Sequence, residues 1–193
     1  MNYLAHLYLS PPDDESRLGN LLGDFIKNKA EFSAYDKIYQ GICFHQKIDG
    51  FTDSHPVVLQ SKQRITKKNR KYAGVLIDVF YDHFLAKDWD KYSPIPLERF
   101  VEDFYQVLEK HSYILPKRLA EIKPAMILEN WLLAYREQAG IAKALERITN
   151  RLSKPYATDE AMAELPHNYQ ELQRDFDSFF PDVVVYAKIM GGV

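Results

Sequence analysis

Cysteine is nearly absent from this 193-residue chain, which has only Cys43. A single thiol leaves no intrachain disulfide to form, which points to a reducing compartment. Its setting, Gly41-Ile42-Cys43-Phe44, suits a small core residue better than a reactive thiol. Glycine is scarce as well, with 8 residues, few for a β-rich protein built on tight turns. No glycine-rich phosphate loop occurs, so a Rossmann or P-loop reading has no support. No apolar run approaches the ~20 residues that span a bilayer. Met1–Leu7 lacks the basic region and long apolar stretch of a secretory signal. A soluble, cytoplasmic protein with no membrane partner is the expectation. Neither sign of charge dominates (formal net charge -2), and no nucleic-acid motif is present, so nucleic acid is not an expected partner.

What is present is core material. Apolar residues make up 46% of the chain, with 13 Tyr and 11 Phe, enough for one compact domain. Prolines punctuate the periodic segments: Pro11-Pro12, Pro56, Pro94, Pro96, Pro116, Pro124, Pro155, Pro166 and Pro181. The segments between them read as helices. After a short apolar stretch, Tyr3–Leu9, acids at Asp13-Asp14-Glu15 open a helix to about Lys27, suiting the helix dipole. Ser33, with Asp36 three positions on, resembles a capping box for a helix to about Thr52. Pro56 suits the first turn of a helix to about Lys71. Tyr72–Asp88 is apolar nearly all round. Further helices are expected at Leu97–His111, Pro124–Glu137, Ile141–Leu152 and Asp159–Phe180. No alternating strand pattern of useful length appears. The expected fold is therefore an all-α, single-domain helical bundle over residues 1–190, with 191–193 frayed.

The chemistry-bearing residues fall at helical spacing. His45 and Asp49 stand at i and i+4, on one face of a helix with ~3.6 residues per turn. Asp53 continues that stripe. Asp78 and Asp82 repeat the spacing, with His83 next in sequence, in an otherwise apolar segment. Two carboxylates and an imidazole on a buried helix are costly unless something neutralises them. A divalent metal does so, because it binds carboxylate oxygen and neutral imidazole together. Asp24 lies in Gly19-Asn20-Leu21-Leu22-Gly23-Asp24-Phe25, where two glycines in a helical pattern imply close approach of a backbone or a substrate. His6, between Ala5 and Leu7, reads equally as a core histidine. A single His or Asp on a helix is ordinarily solvated or salt-bridged, and it is the repeated pattern that favours a metal. Lys62, Arg64, Lys67, Lys68, Arg70 and Lys71 fall within ten residues without an acid, a candidate docking patch for an acidic partner. A solvated helix face is the plainer reading of such a run.

Taken in order, Met1-Asn2-Tyr3-Leu4-Ala5-His6-Leu7, Gly19–Phe25, Gly41-Ile42…His45…Asp49…Thr52-Asp53, Asp78–Leu85 and Trp131-Leu132…Tyr135-Arg136 resemble the acyl carrier protein phosphodiesterase family. These blocks cover most of the chain. The resemblance implies a phosphodiester hydrolase that removes the 4′-phosphopantetheine arm from holo-acyl carrier protein. The family is similar to the all-helical, metal-dependent HD-domain phosphohydrolases, which makes manganese the expected ion, with Mg²⁺, Fe²⁺ or Co²⁺ as alternatives. The chain departs from the family at Tyr8, where His is common, and at Gly23, where Ala is common. Its Asp82-His83 pair reverses the His-Asp order that names the superfamily. On this basis His6, His45, Asp49, Asp82 and His83 are expected to hold the metal. Asp24 or Asp78 would position a water or take its proton, and Arg136 would grip a phosphate oxygen. The basic run Lys62–Lys71 would receive the acidic carrier protein. A phosphohydrolase of nucleotides or another small phosphodiester, and a non-catalytic helical binding protein, are the alternatives. The sequence assigns no oligomeric state.

Overall fold

The computed structural model describes all of residues 1–193 and contains eleven α-helices and no strand. The helices are α1 (Tyr3–Leu9), α2 (Asp14–Leu22), α3 (Asp36–Ser54), α4 (Pro56–Arg64), α5 (Ala73–Lys87), α6 (Leu97–Lys110), α7 (Lys117–Leu128), α8 (Trp131–Ala134), α9 (Gln138–Thr149), α10 (Thr158–His167) and α11 (Tyr169–Ile189). Short 3-10 turns link several of them.

Helix α5 is the axle. Leu76, Ile77, Val79 and Phe80 through Ala86 are all buried, as a helix that is apolar around its whole circumference must be. It packs against α1, α4, α9 and α11. Helix α1 is nearly as deep, with Leu4, Ala5, His6, Leu7 and Leu9 at zero exposure. It carries no side-chain cap of its own at Asn2. The two oxygens of Asp82 on α5 supply one instead, accepting from the backbone N–H of Leu4 at 2.8 Å and of Ala5 at 3.1 Å. These are helix N-terminal donors without an intrahelical partner.

Helices α2 and α3 cross with backbone almost touching backbone. A Cβ on Gly19 would collide with the carbonyl of Ile38, and one on Gly41 with the carbonyl of Ser16. Glycine at 19 and 41 is what lets the two helices come this close. Asp13 caps α2 by accepting from the Ser16 N–H, and His55 caps α4 with Pro56 at its first position.

Several expected boundaries move. Helix α3 starts at Asp36, so Ser33 ends a 3-10 turn and caps nothing. Helix α4 stops at Arg64, and residues beyond it form a loop and a 3-10 turn. Pro124 sits inside α7 where a helix start was expected, and Asn130, in the left-handed region at φ 48°, splits the expected Pro124–Glu137 helix into α7 and α8. The expected final helix divides at Asn168. At the C-terminus Gly192 N–H donates to Ala187 O at 2.9 Å and Val193 N–H to Ser10 O at 3.0 Å. Cys43 is half-buried beside Lys29, not a core residue. No helix is long and apolar enough to cross a membrane.

Candidate metal centre

Three of the expected ligands converge. His6 on α1, His45 and Asp49 on α3 bring one donor atom each within 4.8 Å of one another. His6 Nε2 lies 3.1 Å from Asp49 Oδ1, and His45 Nε2 lies 3.1 Å from Asp49 Oδ2. Both histidines are buried, and Asp49 reaches solvent.

The tautomers of the two rings follow from Asn20, a fully buried residue of α2. Its amide nitrogen donates to the backbone carbonyl of His6 at 2.7 Å and to Ser10 Oγ at 2.7 Å. A carbonyl can only accept, so the amide is fixed in this orientation and its oxygen faces the rings. Asn20 Oδ1 lies 3.0 Å from His6 Nδ1 and 3.2 Å from His45 Nδ1. It can only accept, so both Nδ1 atoms carry protons. Each neutral ring then turns an Nε2 lone pair toward a carboxylate oxygen, an arrangement that repels itself unless a proton or a cation lies between.

A proton serves poorly at His6. Burial, then the neighbouring His45, lowers its pKa to about 4. Burial also acts against charge on His45, but Asp49 and Asp24 outweigh it and raise that ring. For Asp49 burial favours the protonated form, yet the two imidazoles hold the carboxyl far below the usual range. The donors left over, two imidazole nitrogens and one carboxylate, are the set that borderline divalent ions take, each histidine being oriented by a hydrogen bond from its other nitrogen. A cation already suits this place: the Met1 amino group lies 3.5 Å from Asp49 and 3.2 Å from Asp78.

Asp24 and Asp78 line a neighbouring cleft of about 170 Å³, together with Tyr3, Arg118 and Arg151. Both carboxyls are raised, chiefly because the protein packed around them disfavours charge, even though each still reaches solvent. His45 draws Asp24 back down and the Met1 amino group does the same for Asp78.

The other expected ligands are engaged elsewhere. Asp82 caps α1, and its neutralisation comes from backbone N–H groups and from burial, which pushes its pKa up to about 7. His83 turns Nδ1 to Tyr135 O at 2.9 Å and Nε2 to the Tyr169 hydroxyl at 3.0 Å. Arg136 does not line the cleft and pairs with Glu98 at 2.7 Å. Tyr8 donates its hydroxyl hydrogen bond to Tyr92 O and packs on Trp89 and Phe180. Glycine at 23 lets the His45 ring lie directly against the end of α2, where a Cβ would strike it.

The basic run is not one solvated face. Arg64, itself half-buried, pairs with the buried Asp175 at 2.6 Å. Arg70 binds the carbonyls of Ile65 and Gln63, holding the loop after α4. Lys62 and Lys68 pair with Asp53 and Glu160. Lys71 lies over the Tyr72 ring, and Lys67 is exposed.

Asn20, Arg118 and Arg151 were not among the expected site residues. A polar residue among Leu18, Leu21 and Leu22 was the available signal for Asn20. Nothing in the local pattern marks the two arginines.

A family model described as acyl carrier protein phosphodiesterase matches residues 1–183. The chain belongs to the acyl carrier protein phosphodiesterase family. Curated relatives carrying that name include proteins of Photorhabdus laumondii, 32% identical over 97% of this chain and 96% of the relative, and of Pectobacterium atrosepticum, 32% identical over 97% and 98%. The Yersinia enterocolitica relative is 33% identical over 97% and 98%. No solved structure matches the chain, so the expected likeness of this family member to HD-domain folds gains no support from that comparison.

Proposed function

We propose that this protein is a metal-dependent phosphodiesterase that hydrolyses holo-acyl carrier protein to apo-carrier protein and 4′-phosphopantetheine in the cytoplasm. Membership of the family supports the substrate. The metal rests on one observation: Asn20 accepts from Nδ1 of both histidines, so each ring, when neutral, turns an Nε2 lone pair toward the Asp49 carboxylate. His6, His45 and Asp49 would hold the ion. Manganese, iron and cobalt suit two imidazoles and a carboxylate better than magnesium, which favours oxygen ligands. When bound, a divalent cation supplies Lewis-acid polarisation of a phosphoryl oxygen and acidifies water.

The chain's own residues account for the proton traffic. Hydrolysis needs a proton taken from the attacking water and one delivered to the departing serine oxygen. Asp24 and Asp78 line the same cleft, and the surrounding protein raises both carboxyls above their usual range, which suits one of them to accept a proton and the other to donate one. Asn20 takes no proton. It keeps the imidazoles in the tautomer that leaves Nε2 free.

The test is an intact-mass measurement of holo-acyl carrier protein incubated with chelator-stripped protein, with and without Mn²⁺. Loss of the whole 4′-phosphopantetheine arm only with metal is the expected result. An unchanged carrier protein alongside hydrolysis of a small phosphodiester would move the substrate to that class, and no cleavage of either would leave a binding protein.

A further inference from the structure

We propose that Arg118 and Arg151 form a two-armed anion clamp that seats the phosphate of the substrate in the cleft beside the metal centre. The inference deepens the phosphodiesterase reading and rests on it for the identity of the phosphate ester. It rests on geometry for the anion itself.

The two arginines come from separate parts of the fold, Arg118 from α7 and Arg151 from just beyond α9, and they line the same small cleft. Two guanidinium groups repel one another, and convergence of this kind is ordinarily relieved by a carboxylate. Five other arginines of the chain have one: Arg64, Arg99, Arg136, Arg147 and Arg174 pair with Asp175, Asp103, Glu98, Glu129 and Glu171. Arg17 and Arg70 have no carboxylate either, but Arg17 lies over the Phe100 ring and Arg70 donates to the Ile65 and Gln63 carbonyls. Arg118 and Arg151 pair with no carboxylate although Asp24 and Asp78 line the same cleft.

Their footing is aromatic. The Arg118 guanidinium lies 5.3 Å from the centre of the Phe25 ring, and Phe25 stacks on Tyr3 with centroids 5.8 Å apart. Tyr3 neighbours Arg151, whose charge favours its phenolate against the burial that raises the phenol pKa. Phe25 and Tyr3 thus adjoin both arginines; Arg151 is close enough to hydrogen-bond the Tyr3 hydroxyl, and the five N–H groups of each guanidinium leave further donors for a ligand. Phe25 follows Asp24 in sequence, so this footing also places the clamp beside a group able to move a proton.

The size of the cleft selects what enters. At about 170 Å³ it falls below the ~300–1,000 Å³ that encloses a whole drug-sized ligand. It takes one end of a molecule, and two guanidinium forks choose a phosphate over a neutral group.

Inorganic phosphate is the probe, because it needs neither carrier protein nor turnover. Its dissociation constant would be measured by calorimetry for the wild-type protein, Arg118→Ala, Arg151→Ala and Arg118→Lys. Arg136→Ala, outside the cleft, is the control. Both guanidiniums reach solvent, and thermal melting would verify that the variants fold. The clamp predicts about tenfold weaker phosphate binding for each alanine variant, an intermediate loss for Arg118→Lys, no change for Arg136→Ala, and unaltered Mn²⁺ affinity throughout. Phosphate affinity equal in all five proteins, or no phosphate binding by the wild type, would overturn it. Arginine-dependent phosphate binding with no cleavage of holo-carrier protein would support the clamp and reject the substrate. Normal KM for holo-carrier protein in both alanine variants would reject the clamp and leave the phosphodiesterase reading intact.

Discussion

His6 and His45 lie ring against ring, with centroids 4.0 Å apart and planes 20° from parallel. Two cations could not be stacked this closely in a buried site, so at most one ring is protonated and at least one Nε2 lone pair faces Asp49. The shared acceptor Asn20 makes this arrangement, which gives the first prediction. Asn20→Ala removes the acceptor for both Nδ1 protons and frees the rings to turn. Outer-shell partners of this kind are worth about 10–100-fold in metal affinity. Calorimetric titration with Mn²⁺ should show a loss of that size in a variant that still melts cooperatively. Wild-type affinity would mean that Asn20 does not set the site.

Asp82 gives a prediction about pH. Burial raises its pKa from 3.8 to about 7, against the Leu4 and Ala5 N–H bonds that favour the carboxylate. The folded protein therefore binds a proton that the unfolded chain gives up at lower pH. The contribution is fully present below about 4 and is lost as pH rises through about 7. Linkage puts it on the order of 4 kcal/mol between those limits. Asp82→Asn imitates the protonated form. Denaturant unfolding from pH 4 to pH 7 should show a flatter stability profile for this variant than for the wild type, and matching slopes would show that Asp82 is ionised throughout.

The same residue shows what could be read from the sequence and what could not. A carboxylate in the apolar segment around Asp82 does need neutralising, as the residue pattern implies. The neutralising group is the N-terminus of α1, 77 to 78 positions away along the chain, and no local pattern announces it. The i, i+4 pair His45 and Asp49 was legible because both partners lie on one helix. Asp78 and Asp24 were legible as carboxylates in apolar surroundings. Asn20 and the arginines act across helices, through contacts that periodicity does not encode. Helices α5 and α6 were legible because their apolar pattern is continuous. The α7–α8 break was not, because Asn130 in the left-handed region carries the turn, while Pro124, a residue that ordinarily starts or breaks a helix, sits inside α7.

The crossing of α2 and α3 carries the site, since Asn20 lies on one helix and His45 and Asp49 on the other. Gly19→Ala or Gly41→Ala forces a Cβ into a facing backbone carbonyl. Each should destabilise by about 1–3 kcal/mol or more, the range for overpacking, and weaken Mn²⁺ binding as the helices part. Chemical denaturation checks the first effect. Stability within a few tenths of a kcal/mol of wild type would show that the crossing can relax.

The basic run divides into two kinds of residue. Arg64→Ala leaves Asp175 largely buried with only Ser61 and Gln60 as partners, and should cost about 3 kcal/mol of stability. Lys67→Glu with Lys71→Glu touches no ion pair. If this surface receives an acidic carrier protein, the double variant raises KM several-fold at low salt with little change in kcat or melting temperature. An unchanged KM would remove the surface from the docking account.

The most direct test of the metal centre is pulsed electron paramagnetic resonance of the protein loaded with one equivalent of Mn²⁺. With His6, His45 and Asp49 as ligands, nitrogen couplings from two imidazoles are expected in the wild type, one in His45→Ala, and both retained in His83→Ala. A spectrum without imidazole nitrogen, or one in which only His83→Ala loses a coupling, would contradict this ligand set.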